Sequence, residues 1–427
     1  MRDSFGEAEF TSARGHHKLR NKIYMPDFSK IALITTGGTI AGVTKETTSA
    51  RYSPAVLNGK ALLQTLFGTL PSSENLPFSD SPHNLFGDTL ETPKNSVQTP
   101  NLPKLFEFGS FDSANVDDEV LLSLARFVEN VLKDEIQGDD AIEGVVITHG
   151  TDSLEESALF LELVLNAQKP IVFTGSMRAS NALGSDGARN LYNAFLFCAH
   201  LVDLQKGTQA ESKSAQIPPT QGIFIALGDS IFAPFNLMKF HTSDTNAFEQ
   251  SGAIGRIVDS QVFFSYAKKH LNQTLRESFA LTHLGKSLPK VEILYSHQND
   301  YCALLAAFLF VQGIRGIVVA GMGNGSLNDR ILSAQEKEAL VKILPDSTSL
   351  CAQKELRQKE VLEFLHARGL VIVISSRVPF GTTTQRNFLS AWNFNPQKAR
   401  ILLMLLLQAR DSHVLEESRF QEVFYLF

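Results

Sequence analysis

Two hydroxyl-bearing turns and one lysine are the residues here whose types and positions could do chemistry. The first turn lies in IALITTGGTIAG (31–42), where apolar residues and threonines lead into Gly37-Gly38 and then Thr39. The second lies in GVVITHGTDSLEESA (144–158), where Gly150 precedes Thr151 and Asp152. Lys239 sits between apolar residues in SIFAPFNLMKF (230–240). An alcohol is a poor nucleophile until a neighbour accepts its proton. If the three segments converge, they supply two threonine hydroxyls, a carboxylate and an amine, the parts of a nucleophile with a proton relay. Each part also has a plain structural reading. A strand–Gly-Gly–Thr turn can be only a turn, Asp152 with Glu155 fits a helix-start capping box, and a lysine among apolar residues commonly snorkels to solvent.

The elements around these residues must carry them to one place. A buried strand running into paired glycines delivers the next side chain to the carboxyl edge of a sheet, where open α/β folds place their sites. Patterning predicts strands at 31–36, 105–108, 144–148, 171–174 and 223–227, then at 291–295, 316–319 and 371–374. Helices are predicted over roughly 55–66 (behind Ser53-Pro54), 117–132, from 153, 191–201, 301–312, 334–344, 355–367 and from Pro396. Strands alternating with helices imply parallel sheets covered on both faces. The expected fold class is α/β in two domains, a larger N-terminal parallel-rich sheet flanked by helices and a smaller C-terminal parallel α/β domain. The expected divisions are a disordered leader at 1–29, a catalytic domain at 30–267 with an insertion at 68–104, a linker at 268–288 and a C-terminal domain at 289–427.

Composition narrows the class. The chain has 427 residues, enough for two packed cores, with 43% hydrophobic and 20% charged residues as in ordinary globular proteins. A net charge of −6 argues against nucleic acid or an anionic membrane as partner. Three scattered cysteines match no zinc spacing and form no full disulfide framework. The polar leader lacks a secretory apolar core, so the expected compartment is the cytoplasm, with the periplasm left open should the true start differ. There is no G-x-x-x-x-G-K-[ST] loop, no H-E-x-x-H and no G-x-S-x-G elbow. Gly321-Met322-Gly323-Asn324-Gly325 is a poor match to a dinucleotide fingerprint, because the third glycine is misplaced.

At this point the sequence resembles the bacterial-type L-asparaginase/glutaminase family. TTGGTIAG (35–42) and ITHGTDSLEESA (147–158) are nearly letter for letter that family's two signatures. GSMR (175–178), SDGARNLYNA (185–194), GMGNGSL (321–327), SSRVPFGTTTQ (375–385) and NPQKAR (395–400) follow in the family's order. The resemblance implies hydrolysis of L-asparagine to L-aspartate and ammonia, with some activity on L-glutamine, and no metal or cofactor. It implies a catalytic set of Thr39 as nucleophile, Tyr52 on a loop closing over it, and Thr151, Asp152 and Lys239 as the proton-relaying group. It implies a substrate-binding set of Gly38, Asp112, Ser113, Asp152, Ser176 and Asn324. Asp152 would hold the α-amino group and Ser113 the α-carboxylate. Counting back from Leu124-Ala125-Arg126, Ser113 fits the binding serine better than Ser110. Asn324 would reach in from a neighbouring subunit, which implies a homo-oligomer, a tetramer of close dimers.

Three departures bear on affinity and on the Asn/Gln preference, or are simply unusual. Ala114 stands where many members carry Gln, the stretch between Gln385 and Trp392 is short and lacks an acidic residue, and the 68–104 insertion is not a common feature. Two rival readings exist. A glutaminase subunit feeding an amidotransferase would carry a larger N-terminal extension. An amino-acid-binding sensor with a weak or silent site would show a broken catalytic set.

Overall fold

The chain builds two sheets that share one core. The computed structural model describes residues 27–48, 53, 56–67, 102–133, 141–210, 220–268, 273–384 and 387–427. Tyr52, the leader through residue 26, Gln385 and nearly all of the 68–104 insertion lie outside the described residues.

The larger sheet has eight strands in the order β2-β1-β3-β4-β5-β6-β7-β8. They are β1 (Ile31–Gly37), β2 (Lys104–Phe111), β3 (Gly144–Thr148), β4 (Pro170–Thr174), β5 (Gly222–Leu227), β6 (Ser230–Phe232), β7 (Gly255–Val258) and β8 (Gln261–Phe264). The smaller sheet is β9 (Val291–Tyr295), β10 (Gly316–Gly321), β11 (Val371–Ser376) and β12 (Leu389–Ser390), all parallel, in the order β12-β11-β10-β9. Pairing is parallel from β2 through β5, as the alternating pattern predicts, and antiparallel from β5 to β8. The antiparallel edge went unpredicted because its strands are only three or four residues long. Its β7–β8 turn is the two-residue kind, with Asp259 and Ser260 both at positive φ.

The helices are α1 (Gly59–Phe67), α2 (Asp118–Lys133), α3 (Leu154–Val164), α4 (Gly187–Ala210), α5 (Gln273–Ser278), α6 (Cys302–Val311), α7 (Ala334–Ile343), α8 (Thr348–Cys351), α9 (Gln358–His366), α10 (Pro396–Asp411) and α11 (Phe420–Tyr425). α1 starts later than the Ser53-Pro54 signal predicts. Asn58 caps it instead, its Oδ1 accepting from Ala61 N at 2.9 Å. Residues 273–288, expected as linker without period, hold α5 and a 3-10 turn, and Leu275, Phe279, Leu281, Leu284 and Leu288 join the main core.

The central strands are buried on both faces, and the period of two divides them. Ala32, Ile34, Val145, Ile147, Ile171 and Phe173 face one core with α2 and α3. Ile31, Leu33, Val146 and Val172 face the other with α4 and α1. The first core continues into the second sheet through α10, whose residues Ile401–Leu407 are all at most 1% exposed. A helix apolar on every side belongs in an interior. Here it lies between α3 and the strands β9–β11.

The carboxyl ends of β1 and β3 meet without room for a side chain. Gly38 has φ +78°, and a Cβ there would sit 2.5 Å from both Cα and N of Gly150. A Cβ on Gly150 would lie 2.4 Å from Ser113 Oγ. Gly38→Ala should therefore lose more stability than Gly252→Ala, which shares φ +78° but has open space around it. The control should cost about 1–2 kcal/mol for the backbone alone, and Gly38→Ala clearly more. Equal urea midpoints for the two variants would remove the close approach as a constraint.

A second prediction concerns Lys268 and Glu162, fully buried and paired at 2.8 Å, with Arg276 at 3.6 Å from the other carboxylate oxygen. Burial pushes the Lys268 amine below its ordinary value while Glu162 opposes that. Lys268→Met strands part of a buried charge and should cost roughly 3 kcal/mol in chemical denaturation. Adding Glu162→Gln should recover part of it, and simple additivity of the two losses would count against the pair.

Candidate active site

Each candidate residue reaches the site on a strand end or the turn beyond it. Thr39 opens a 3-10 turn directly after Gly38, whose amide donates to Phe111 O at 3.1 Å and so ties the end of β1 to that of β2. One strand over, β3 ends in His149-Gly150-Thr151-Asp152. Register pairs Thr35 with Thr148, so the two glycine turns leave the sheet side by side. Thr39 and Thr151 are 5% and 4% exposed, whereas the Asp152 side chain is 54% exposed. The hydroxyls form a floor and the carboxylate stands at the mouth.

Lys239 arrives from the segment after β6, 88 residues on from Thr151. Its Nζ donates to Thr151 Oγ1 at 3.0 Å and to Asp152 Oδ1 at 2.6 Å. This corrects the capping-box reading of Asp152 and Glu155. Ser153 occupies the cap position of α3 and no side chain caps it. Asp152 is turned to the lysine, and Glu155 accepts from the Lys239 amide at 2.9 Å. Nor does the lysine snorkel free of partners. Its side chain is 20% exposed and ends between a hydroxyl and a carboxylate.

The neighbouring turns are fixed by side-chain bonds. Ser113, 3% exposed, accepts from the Asp152 amide at 3.3 Å through Oγ, and its carbonyl accepts from Ser153 Oγ at 2.6 Å. Asp112 caps the same 3-10 turn by accepting from Ala114 N. Ser110 lies exposed on β2. Ser176 is buried and donates to Arg178 O at 2.7 Å. The SDGARNLYNA stretch is scaffold for this region. Asp186 accepts from the Met177 and Arg178 amides, and Asn190 bridges Gly175 O to Gly228 N. Asn324 is exposed on the turn after β10, and no hydrogen bond joins it to Thr39, Thr151 or Ser113 among the described residues.

Beneath these hydroxyls, the amine and the carboxylate lies one imidazole, His149. His149 is fully buried, and burial lowers its pKa to about 4, so the ring is neutral near pH 7. Its Nδ1 lies 2.8 Å from Gly150 O and must carry the proton, since a carbonyl only accepts. The imidazole is thus committed beneath the turn. The Thr151 amide finds no acceptor among the described residues. A cavity of ≈ 740 Å³ opens against Ser113, Asp152, Glu156, Lys286 and Arg400 but reaches neither Thr39 nor Thr151. Among the described residues no cluster of metal-ligating side chains occurs, and no helix is long and apolar enough to cross a membrane.

Sequence reasoning missed the groups behind Lys239. Besides the Lys239 amide, Glu155 accepts from Asn395 Nδ2 at 3.1 Å. Lys398, in the first turn of α10, donates to Phe235 O at 2.9 Å and to Leu237 O. The available signal was a lysine three residues ahead of the apolar run Ile401–Leu407.

Known proteins resemble this chain in sequence and fold. A family model described as "Asparaginase, N-terminal" matches residues 30–270. The chain is 32% identical to L-asparaginase 2 of Bacillus subtilis over 89% of its length and 83% of the relative's. It is also 32% identical to the glutaminase-asparaginase of Acinetobacter glutaminasificans, over 89% of this chain and 95% of that one. The crystal structure described as "Probable Cytoplasmic L-asparaginase" from Campylobacter jejuni superposes with TM-score 0.67 at 32% identity, covering 93% of this chain and 99% of the other. Matched by that family model over more than half of its length and by these relatives over most of it, the chain belongs to the asparaginase family.

Proposed function

We propose that this chain hydrolyses L-asparagine to L-aspartate and ammonia through an acyl-enzyme on Thr39. The observation that carries the reading is the bonded series Thr151 Oγ1–Lys239 Nζ–Asp152 Oδ1 on the turn adjoining that of Thr39. Thr39 Oγ attacks the side-chain amide carbon, and its proton passes to the Thr151–Lys239–Asp152 set. Collapse of the tetrahedral adduct breaks the C–N bond, and the returned proton lets ammonia leave. Water then attacks the ester, releasing aspartate and restoring the Thr39 hydroxyl. Amides at the two glycine turns face the oxyanion, where losing one donor typically costs on the order of 10²–10³ in rate.

Asp152 and Ser113 hold the α-amino and α-carboxylate groups, with Gly38, Asp112 and Ser176 shaping the turns around them. Asparagine and glutamine differ by one methylene, which a pocket separates by only about 1–3 kcal/mol, so some glutaminase activity accompanies the main one. The likeness to the Campylobacter jejuni protein supports a cytoplasmic setting. Asn324, exposed and not hydrogen-bonded to the hydroxyls of its own chain, supports a homo-oligomer in which it completes a neighbour's site, most simply a tetramer of close dimers.

Coupled ammonia release from L-asparagine and L-glutamine, side by side, tests the reaction. Thr39→Ala and Thr151→Ala should each lower kcat on asparagine by about 10²–10⁴ or more with unchanged circular dichroism. A near-normal rate in Thr39→Ala would place the nucleophile elsewhere. Calorimetric asparagine binding by the wild-type chain without ammonia would favour the sensor reading.

The shared-site reading has its own check. Thr39→Ala and Asn324→Ala preparations, each impaired, should regain activity when dissociated together and reassembled. No gain from mixed oligomers would confine each site to one chain.

A further inference from the structure

Lys239 is held by backbone grips on both sides of its chain. On one side Ser251 Oγ accepts from Met238 N and donates to Met238 O, and Phe240 N donates to Ala247 O. On the other side Glu155 Oε2 accepts from Lys239 N at 2.9 Å, while Lys398 Nζ donates to the carbonyls of Phe235 and Leu237. The grips on Phe235, Leu237 and Lys239 therefore recur at every second residue, ending at the residue whose amine reaches Thr151 and Asp152. Asn395 joins the two gripping groups. Its Oδ1 caps α10 by accepting from Lys398 N at 2.9 Å, and its Nδ2 donates to Glu155 Oε1 at 3.1 Å.

These placements are costly taken singly. Lys398 is 2% exposed and stands in the first turn of α10, where the helix dipole disfavours a cation. Burial lowers its pKa to about 8, opposed by attraction to Glu155. Glu155 is 6% exposed, and burial raises its pKa against the pull of Lys398 and the Lys239 amide bond. A helix lying between two sheets in one core could seat an apolar residue at 398. A lysine there is useful because it places donors on two carbonyls that lie two and four residues before Lys239.

Resting on the assignment of Lys239 to the proton-relaying set, we propose that Glu155 and Lys398 are positioning residues for that lysine. Through them the C-terminal unit of the same chain sets the geometry of the N-terminal active site, by way of α10. A misplacement of about 1 Å at a reacting group can cost on the order of 10²-fold in rate, so loosening this grip reads directly in turnover.

The test is a pair of double-mutant cycles on the full chain, measured as kcat/KM for ammonia release from asparagine. Lys398→Met keeps length and apolar volume but removes the donors. Glu155→Gln keeps shape but leaves one of its two donors, the Lys239 amide or Asn395, without an acceptor, and serves if the first variant folds poorly. Each should lower kcat/KM about 10–100-fold in the wild-type background and less than about twofold in Lys239→Ala, where nothing remains to be positioned. An equal factor in both backgrounds would mean a general structural role and overturn the proposal. So would unchanged activity in both variants while Lys239→Ala is inactive. Full activity in Lys239→Ala would instead remove Lys239 from the relay, and this proposal with it.

Discussion

The whole site depends on two peptide backbones being allowed to touch. Gly38 and Gly150 stand where any Cβ on the first would overlap the second. The contact sets the turn carrying Thr39 against the turn carrying Thr151 and Asp152, with no side chain between them. A third turn, holding Ser113, closes onto Gly150 by the same logic. Parallel strands cannot bring side chains from neighbouring ends closer than the strand spacing of about 4.8 Å permits unless the chains bend toward each other beyond the last pair. Glycine makes that bend possible, both by positive φ and by taking no space. The hydroxyls of Thr39 and Thr151 are thereby held at 4–5% exposure.

Lys239 solves a different problem. The strand ends supply hydroxyls and a carboxylate, but nothing on β1 or β3 supplies an amine, and the nearby imidazole is spent on Gly150 O. The amine has to enter from the side, on a segment belonging to no strand or helix. Such a segment is the least rigid part of an open sheet. It is secured here by hydrogen bonds to its own backbone as well as by burial of Phe235 and Leu237 in the main core. One set comes from residues 247–251 and the other from α3 and α10. Carboxylate, amine and amide are all satisfied inside the protein, the condition under which a buried polar network specifies one arrangement.

Much of this was legible in the sequence, and the limits have physical causes. The buried strands were readable because both faces are covered, which makes them continuous apolar runs. The predicted 144–148 and 291–295 strands coincide with β3 and β9. The antiparallel edge was not readable, since β6 to β8 are too short for a period to emerge beside the two-residue turns Gly228-Asp229 and Asp259-Ser260. Residues 273–288 lack a period because Leu275, Phe279 and Leu281 reach the core from a short helix and a 3-10 turn, which together do not repeat any spacing. The motif residues gave the chemistry through their types. Their mutual geometry came only from the fold, as the case of Asp152 and Glu155 makes plain. By spacing alone they form a capping box, yet in the structure both side chains turn to a lysine more than eighty residues away.

That last substitution explains how α3 can begin without a side-chain cap. The first turn of a helix offers free N–H groups and the positive end of a dipole, and carboxylates gather there at little cost. Asp152, Glu155 and Glu156 all do so. Asp152 faces the mouth, Glu155 the segment of Lys239, and Glu156 the cavity, where burial lifts its pKa to about 7 and Arg400 opposes the rise. One helix start thus distributes three carboxylates in three directions. A cap that held Asp152 to its own helix would have withdrawn the one carboxylate able to meet both the amine and the mouth of the site. The missing cap and the Asp152–Lys239 bond are therefore one feature, and the helix is stabilised at its other end and along its buried face rather than at the start that the chemistry uses.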